Sequence, residues 1–253
     1  MDILKLQQVG VKIEERWLVR KISIILPSKK LTVIIGPNGA GKTTLLKLLA
    51  GLWKPTEGIV TLNDINLQKL QRVELAKRLT LVPQTNNINF AFTVQDIVMM
   101  GRNPHLKRFQ PVIGMNYVKQ AMEKTDISHL ADRLVTKLSG GEMQRVIIAR
   151  SLATQANIIL LDEPTASLDI SHTIEILELL KELVADGHTV ILSIHDINLA
   201  VRYADNIVVL NQGDIIDNGL PHQVLTNEMI KNIFKVDVEK ITTNEGKMMF
   251  FFK

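Results

Sequence analysis

A glycine-rich segment followed by a lysine and two threonines is the first part of this sequence that could do chemistry. It spans residues 36–44 and fits the pattern G-x-x-x-x-G-K-[ST], with an apolar run before it and a helical pattern after it. Glycines allow backbone N–H groups to approach anionic oxygens, and a helix N-terminus favours negative charge. Lys42 adds a positive charge for the outer phosphates, and the Thr43 hydroxyl suits Mg²⁺, which prefers oxygen ligands. The expected nucleoside triphosphate site comprises Gly36, Pro37, Asn38, Gly39, Ala40, Gly41, Lys42, Thr43 and Thr44.

A second helix start able to bind an anion lies in the segment LSGGEMQR, residues 138–145. Ser139 is a favourable N-cap, and Gly140 and Gly141 leave backbone N–H groups accessible. We call this helix start, residues 139–141, the second cradle, and the loop at residues 36–44 the first. One chain does not need two such anion sites for one phosphate group. We therefore expect two copies of the chain to pair, so that each cradle completes the site of the other copy.

Four polar residues follow apolar runs. Asp162 ends the run 158–161, where a carboxylate is costly unless it meets a cation or hydrogen-bond donors. Glu163 comes next, and the residue type alone also fits a solvated acid at a strand end. Gln84 and His195 likewise follow short runs. A single glutamine is usually a surface residue and a single histidine is usually structural, so these two need further support.

The elements that must position these residues alternate between strands and helices. Apolar runs that suit strands buried on both faces of a parallel sheet span 31–35, 79–82, 158–161, 189–194 and 207–210. A helix is predicted over 42–50 before Gly51, and another over 173–186 before Gly187. Residues 1–30 and 56–70 read as antiparallel strands, with Asn63-Asp64 as a turn. The pattern indicates an α/β fold with a mixed-sheet core and an antiparallel β subdomain.

A helical insert is predicted between residues 86 and 155. Thr93 and Asp96 resemble a capping box, and Gly101 is expected to end that helix. The chain is therefore expected to be a single domain, with a core formed by 1–85 and 156–253 and a helical subdomain formed by 86–155. Beyond it we predict a helix over 221–235, a hairpin around residues 244–246 and an edge strand over Met248–Phe252.

Composition excludes several classes of protein. The 253 residues contain no cysteine, which rules out a disulfide scaffold, a thiolate zinc site and a cysteine nucleophile. The net charge of +4 is too small to indicate nucleic-acid binding by itself. No run of about 18 apolar residues suggests a membrane helix, and the first ten residues lack a signal-peptide core.

With these segments in order, the sequence resembles the ATP-binding cassette family, the nucleotide-binding subunits of ABC transporters. The resemblance covers nearly the whole chain and rests on GPNGAGKTT, LSGGEMQR and IILLDEP (158–164), on Gln84 after Pro83, on the D-loop Ser167-Leu168-Asp169, and on His195. It implies a P-loop NTPase fold that binds ATP and Mg²⁺ and hydrolyses ATP to ADP and phosphate.

The resemblance also implies a role for each motif residue. Thr43, Gln84 and Asp162 would hold the Mg²⁺ shell. Glu163 would orient or deprotonate the attacking water, and His195 would contact the γ-phosphate, with Gln84 near the water. Two copies would face each other head to tail, so that Ser139, Gly140, Gly141 and Asp169 of one copy close the site of the other.

Two segments depart from the family. An aromatic residue that stacks on adenine should lie near Ile13, which is not aromatic. Trp17 is close enough to take its place, although a tryptophan packed at the rim of the sheet is an equally good interpretation. Lys29-Lys30 replaces a glycine-glutamate pair that is common before the first core strand, and a surface turn is expected there.

The segment from Phe92 to His105 resembles the F-T-V-x-D-x-V-x-x-G-R-x-P-H segment of importers for iron–siderophore, haem and cobalamin. The implied partners are two transmembrane permease subunits that dock on the helical subdomain around Met99–His105, and indirectly an extracytoplasmic solute-binding protein. The chain would then be cytoplasmic and peripheral on the inner face of the cell membrane, with no nucleic-acid partner.

Other members of the family remain alternatives. Importers of metal ions or molybdate share parts of the same segment, and exporters share the cassette. A soluble iron–sulfur assembly ATPase is the rival from a different functional class. DNA-repair and translation ATPases of this family usually have a coiled-coil insertion or two cassettes, and the sequence has neither.

Overall fold

The computed structural model describes residues 3–84, 90–106, 114–243 and 248–253. The strands are β1 (Leu4–Ile13), β2 (Arg16–Leu26), β3 (Leu31–Ile35), β4 (Glu57–Leu62), β5 (Ile65–Asn66), β6 (Leu79–Val82), β7 (Ile158–Asp162), β8 (Thr189–Ser193), β9 (Asn206–Asn211), β10 (Asp214–Gly219), β11 (Val238–Thr242) and β12 (Met248–Phe252). The α-helices are α1 (Lys42–Leu49), α2 (Arg72–Ala76), α3 (Val94–Met100), α4 (Met115–Lys124), α5 (Gly140–Ala153), α6 (Ile170–Ala185), α7 (Ile197–Tyr203), α8 (Pro221–Val224) and α9 (Asn227–Phe234).

The central sheet brings the motif segments to one edge. Its strand order is β10-β9-β3-β8-β7-β6, and all neighbours are parallel except β10, which is antiparallel to β9. Since the carboxyl ends of parallel strands share an edge, β3 delivers the phosphate loop there, β6 delivers Gln84, β7 delivers Asp162 and β8 delivers His195. The predicted α/β class and mixed-sheet core are confirmed.

The predicted antiparallel strands form a separate sheet in the order β2-β1-β4-β5. The turn between β4 and β5 has Asn63 and Asp64 at φ 52° and 61°. Two successive positive φ values are typical of the two-residue turn whose twist matches that of a hairpin. The turn predicted at these residues is confirmed, as is the turn around Lys29, where φ is 54°.

Between β6 and β7 the described chain is helical and contains α3, α4, α5 and short 3₁₀ turns. Thr93 and Asp96 form the predicted capping box, with bonds of 3.1 and 2.9 Å. Gly101 does end α3, but at φ −60° rather than in the left-handed region. A glycine is required because a Cβ there would lie 2.1 Å from the Arg150 carbonyl oxygen of α5. The domain boundaries at residues 86 and 155 stay a prediction.

The helix predicted over 221–235 is wrong as a single element. The chain forms α8 and α9 instead, because the Thr226 hydroxyl accepts a hydrogen bond from the Met229 N–H at 3.1 Å and caps a new helix. The predicted terminal strand is confirmed as β12, which pairs with β11. The hairpin turn expected around residues 244–246 lies outside the described residues.

Two hydrophobic cores lie on opposite faces of the central sheet. One is formed with α3, α4, α5 and α6, and the other with α1 and the antiparallel sheet. Strands β3, β7 and β8 are buried along their whole length, as expected for strands covered on both faces. Within the described ranges, no helix is both long and apolar enough to span a bilayer.

Candidate active site

The phosphate loop between β3 and α1 is fixed on one side and open on the other. A Cβ at Gly36 would lie 2.1 Å from the Leu210 carbonyl oxygen, and one at Gly41, where φ is 106°, would lie 2.8 Å from that of Leu18. Gly39, at φ 77°, faces open space. The loop backbone is therefore held against β9 and β2 while its outer side stays accessible to an anion.

Lys42 lies inside this loop. Its side chain is buried, and Nζ donates to the carbonyl oxygens of Gly36 at 2.9 Å and Pro37 at 3.3 Å. Burial lowers the pKa of Lys42, and the carboxylates of Glu163 and Asp162 oppose that shift. The loop carbonyls thus hold the ammonium beside the position where phosphate oxygens would bind.

Ser193 joins the two acidic residues at the end of β7. Its Oγ donates to Asp162 Oδ1 at 2.8 Å and accepts the backbone N–H of Glu163 at 2.9 Å. Both Ser193 and Asp162 are buried, so the hydroxyl satisfies a carboxylate that would otherwise be costly. The motifs do not reveal Ser193. The only signal for it in the sequence is one serine within the apolar run that precedes His195.

The carboxylate of Glu163 accepts hydrogen bonds from the two residues predicted to act with it. Gln84 Nε2 donates to Oε2 at 2.6 Å, and His195 Nε2 donates to Oε1 at 2.5 Å. The backbone of Glu163 lies in the left-handed region at φ 49°, which few residues other than glycine adopt. The structure therefore brings Gln84, Glu163 and His195 into direct contact at the edge of the sheet.

The oxygen donors near the loop fit Mg²⁺. Thr43 is the second residue of α1 and lines the same cavity of about 250 Å³ as Gly41, Lys42 and Glu163. No cluster of three or more His, Cys, Asp or Glu suited to a metal occurs among the described residues. One or two carboxylates with neutral oxygens is the donor set typical of Mg²⁺ that is shared with phosphates. Thr43, Asp162 and Gln84 would hold the ion, which when bound would neutralise phosphate charge.

Trp17 lies beside the loop. It lines a cavity of about 590 Å³ together with Pro37, Asn38, Gly39 and Ala40, and the smaller cavity at Lys42 shares three of those loop residues. Ile13 lines neither cavity. The indole also packs at the rim of the antiparallel sheet. It lies so close to Gly10 of β1 that a Cβ on that residue would be only 2.9 Å from the ring. Both interpretations of Trp17 thus fit, and adenine stacking stays a prediction.

Ser139 and Asp169 act locally as helix caps. Ser139 forms a capping box with Glu142 at the start of α5, and Asp169 Oδ1 accepts the N–H of His172 at 2.8 Å at the start of α6. Hydrogen bonds from the His172 backbone and ring lower the pKa of Asp169. The described lining of the two cavities does not include Ser139, Gly140, Gly141 or Asp169. The second cradle is therefore not part of the loop cavities of its own chain.

The other end of α5 holds the segment around Met99–His105. Arg102 is buried, and its Nη1 donates to the Ala153 carbonyl at 2.7 Å and to Gln155 Oε1 at 3.0 Å. His105 Nε2 donates to the Thr154 carbonyl at 2.8 Å. A cation beside the last carbonyls of a helix complements the helix dipole. The segment is therefore fixed to the helix whose opposite end carries the second cradle.

Comparison with known proteins supports the same interpretation of these motifs. A family model described as ABC transporter matches residues 19–166. A cobalamin import ATP-binding protein of Halobacterium salinarum is 44% identical over 82% of this chain, but the chain spans only 52% of that relative. A hemin import ATP-binding protein of Shewanella denitrificans is 38% identical over 97% of this chain and 98% of its own length.

Solved structures agree with the sequence matches. A metal-chelate type ABC transporter in an inward-facing conformation superposes with a TM-score of 0.87 at 29% identity, covering 100% of this chain and 97% of that one. A dimeric bacterial ABC transporter cassette superposes with a TM-score of 0.75 at 30% identity, covering 86% and 98%. From its motifs, its fold and these matches, the chain belongs to the ABC transporter family, as a member that carries the ATP-binding cassette.

Proposed function

We propose that the chain is the ATP-hydrolysing subunit of an importer for an iron chelate, haem, cobalamin or a related metal-containing substrate. The contact of Glu163 with Gln84 and His195, at the sheet edge that also carries the phosphate loop, is the observation that carries this proposal. The names of the two import relatives support the direction and the substrate class.

In the proposed reaction a water attacks the γ-phosphorus. The new P–O bond forms as the bond to the β-phosphate oxygen breaks, and Glu163 takes the proton of the water. Lys42 and the loop N–H groups stabilise the phosphate oxygens. With ATP bound, His195 exchanges its contact with Glu163 for a hydrogen bond to the γ-phosphate, which frees Oε1 of Glu163 for the water. The ATP site would be completed by Ser139, Gly140, Gly141 and Asp169 of a second copy arranged head to tail.

Glu163→Gln tests the catalytic part of the proposal. An amide cannot accept the proton, so we expect turnover to fall about 10²–10⁴-fold while ATP binding is kept. In this variant ATP should convert monomers to dimers, as measured by analytical ultracentrifugation, and Ser139→Arg should abolish the conversion. ATP hydrolysis by a strictly monomeric wild-type chain would contradict the paired site.

A groove beside the predicted docking segment fits an apolar helix of a permease. It has a volume of about 510 Å³, and its lining includes Pro104 and Thr154 at one end, Pro83 next to Gln84, and Leu52, whose side chain is 66% exposed. A partner seated there would contact the end of α5 and the strand that carries Gln84. Through this partner the chain would sit at the inner face of the membrane.

Co-expression with a permease of the metal-chelate or cobalamin importer class tests the docking site. Leu52→Asp should abolish co-purification, because it replaces an exposed apolar side chain of the groove with a charged one. Ile25→Asp, at a residue 61% exposed on β2, should not. Transport by the reconstituted complex would then be assayed with iron chelates, haem, cobalamin and molybdate. Uptake of molybdate alone, or stable assembly without any permease, would contradict the proposed class.

A further inference from the structure

His172 joins the start of α5 to the start of α6. Gly141 lies in the first turn of α5, and a Cβ there would lie 2.3 Å from Cδ2 of the His172 ring and 2.8 Å from Cγ. The imidazole therefore occupies space that only a glycine leaves free. The ring rests on the backbone of the second cradle, although the sequence motifs give His172 no role.

The opposite edge of the same ring is tied to the D-loop. Nδ1 of His172 lies 2.8 Å from Asp169 Oδ1, which also accepts the His172 backbone N–H at 2.8 Å. Leu168, also in the D-loop, is the residue that lies nearest the open side of Gly140. One side chain thus contacts both Gly141 and Asp169, two residues expected to face the nucleotide of the other copy.

A further contact fixes the two helices one turn later. Arg145 of α5 forms an ion pair with Glu175 of α6 at 2.9 Å, and its Nη1 donates to the Thr125 carbonyl at 3.0 Å. Arg145 lies four residues after Gly141, and Glu175 lies three after His172, so both pairs are on the facing sides of the helices. This second contact limits rotation of α5 against α6.

We propose that His172 is a positioning residue that sets the spacing between Gly141 and Asp169, so that both move as one rigid unit. The inference rests on the proposed head-to-tail dimer, in which one chain presents Ser139–Gly141 and the D-loop together to the ATP held by the other. Loss of the ring would let residues 139–141 and the D-loop shift independently of each other. This weakens closure of the dimer and leaves folding of the monomer intact.

Substitutions can separate the two contacts of the ring. His172→Asn keeps a polar donor near the position of Nδ1 and an atom near that of Cδ2. His172→Phe keeps a ring on Gly141 but cannot donate to Asp169, and His172→Ala loses both contacts. His222→Ala removes an exposed histidine of α8 and is the matched control.

Each substitution would be introduced into full-length Glu163→Gln, and the ATP-dependent dimer dissociation constant measured by analytical ultracentrifugation. We expect His172→Ala to raise it about tenfold or more, His172→Phe to raise it less, and His172→Asn and His222→Ala to change it by less than about twofold. Monomer melting temperatures should stay alike. If the alanine variant fails to fold, the comparison of asparagine with phenylalanine decides.

Two results would overturn the proposal in distinguishable ways. If Glu163→Gln dimerises with ATP and His172→Ala, or His172→Phe where alanine does not fold, dimerises equally tightly, His172 is only a packing residue and the proposed function stands. If Glu163→Gln itself does not dimerise with ATP, the head-to-tail dimer fails and this inference fails with it.

Discussion

At the scale of single residues, the site depends on donors that hold acidic groups in place. Both carboxylate oxygens of Glu163 accept side-chain hydrogen bonds, and both Asp162 and the Glu163 backbone bond to Ser193. A carboxylate fixed in this way needs little rearrangement before it can orient a water. Ser193 therefore helps to position the two acidic residues, although it lies outside the motifs.

Ser193→Ala should impair both stability and turnover. It leaves the buried Asp162 carboxylate and the Glu163 N–H without their common partner, so we expect unfolding to become easier by about 1–3 kcal/mol. Urea denaturation would measure that change, and kcat should fall about tenfold. Ser151→Ala removes another buried hydroxyl, bonded to the Ile148 carbonyl of α5, and should reduce stability without affecting kcat. Equal kcat loss in both variants would contradict the role of Ser193.

At the scale of elements, α5 links two sites at its opposite ends. Its 14 residues span about 21 Å, with the Ser139 cap at one end and the Arg102 and His105 bonds at the other. Gly101 allows the close approach that makes those bonds possible. The partner proposed to dock near Pro104 would therefore bind next to the helix that carries the second cradle.

Arg102→Met should destabilise the helical region. The substitution keeps the volume of the side chain but removes the hydrogen bonds to the last turn of α5 and the stacking on Tyr117, where the guanidinium lies 4.5 Å from the ring centroid. We expect a loss of about 2 kcal/mol in unfolding free energy. Arg133→Met, at an exposed arginine that bonds Glu142, should cost less than about 1 kcal/mol. Similar losses in both would refute the capping role.

His188, between α6 and β8, should make stability depend on pH. Burial lowers its pKa from 6.5, while Nδ1 donates to the Ala156 carbonyl at 3.2 Å. The unfolded chain then binds the proton more readily, so stability should decrease as pH falls below about 6.5 and level off below the folded pKa. His188→Gln keeps a donor but cannot titrate. Urea denaturation at pH 7.5 and 5.5 should therefore show a smaller loss in the variant, and an identical loss would disprove the assignment.

At the scale of the whole molecule, the proposed function requires a second copy to complete the ATP site. The loop cavity and the second cradle do not share lining residues in the described structure. Ile170, the first residue of α6, is 81% exposed and follows Asp169 directly. An apolar side chain this exposed, next to a motif that is expected to face another copy, suits an interface.

Ile170→Asp should weaken pairing while the monomer stays folded. An added carboxylate would be buried without a partner when the dimer closes, so ATP-dependent association of Glu163→Gln should weaken about tenfold or more. Analytical ultracentrifugation would measure it, with Ile216→Asp on β10, 46% exposed, as the matched control. Unchanged association would show that Ile170 lies outside the interface.

Local sequence patterns were sufficient to predict much of the fold. The apolar runs and the Thr93 capping box express short-range rules and formed as expected, whereas Gly101 ends its helix outside the left-handed region. The failure at 221–235 is also local in origin: Thr226 is a good N-cap inside an otherwise helical pattern, and its bond to Met229 prevailed.

The sequence by itself determined which residues could bind phosphate and that the fold is α/β. Both follow from residue types close together in the chain, because these set the geometry of the loop and the burial of the strands. Only the tertiary structure decided which of these residues meet. The parallel register brought Gln84, Glu163 and His195 together and placed Ser193 beside the carboxylates. The tertiary structure set Trp17, on β2 of the antiparallel sheet, beside the loop. It also laid His172 on Gly141, a contact between helices that no spacing along one chain encodes.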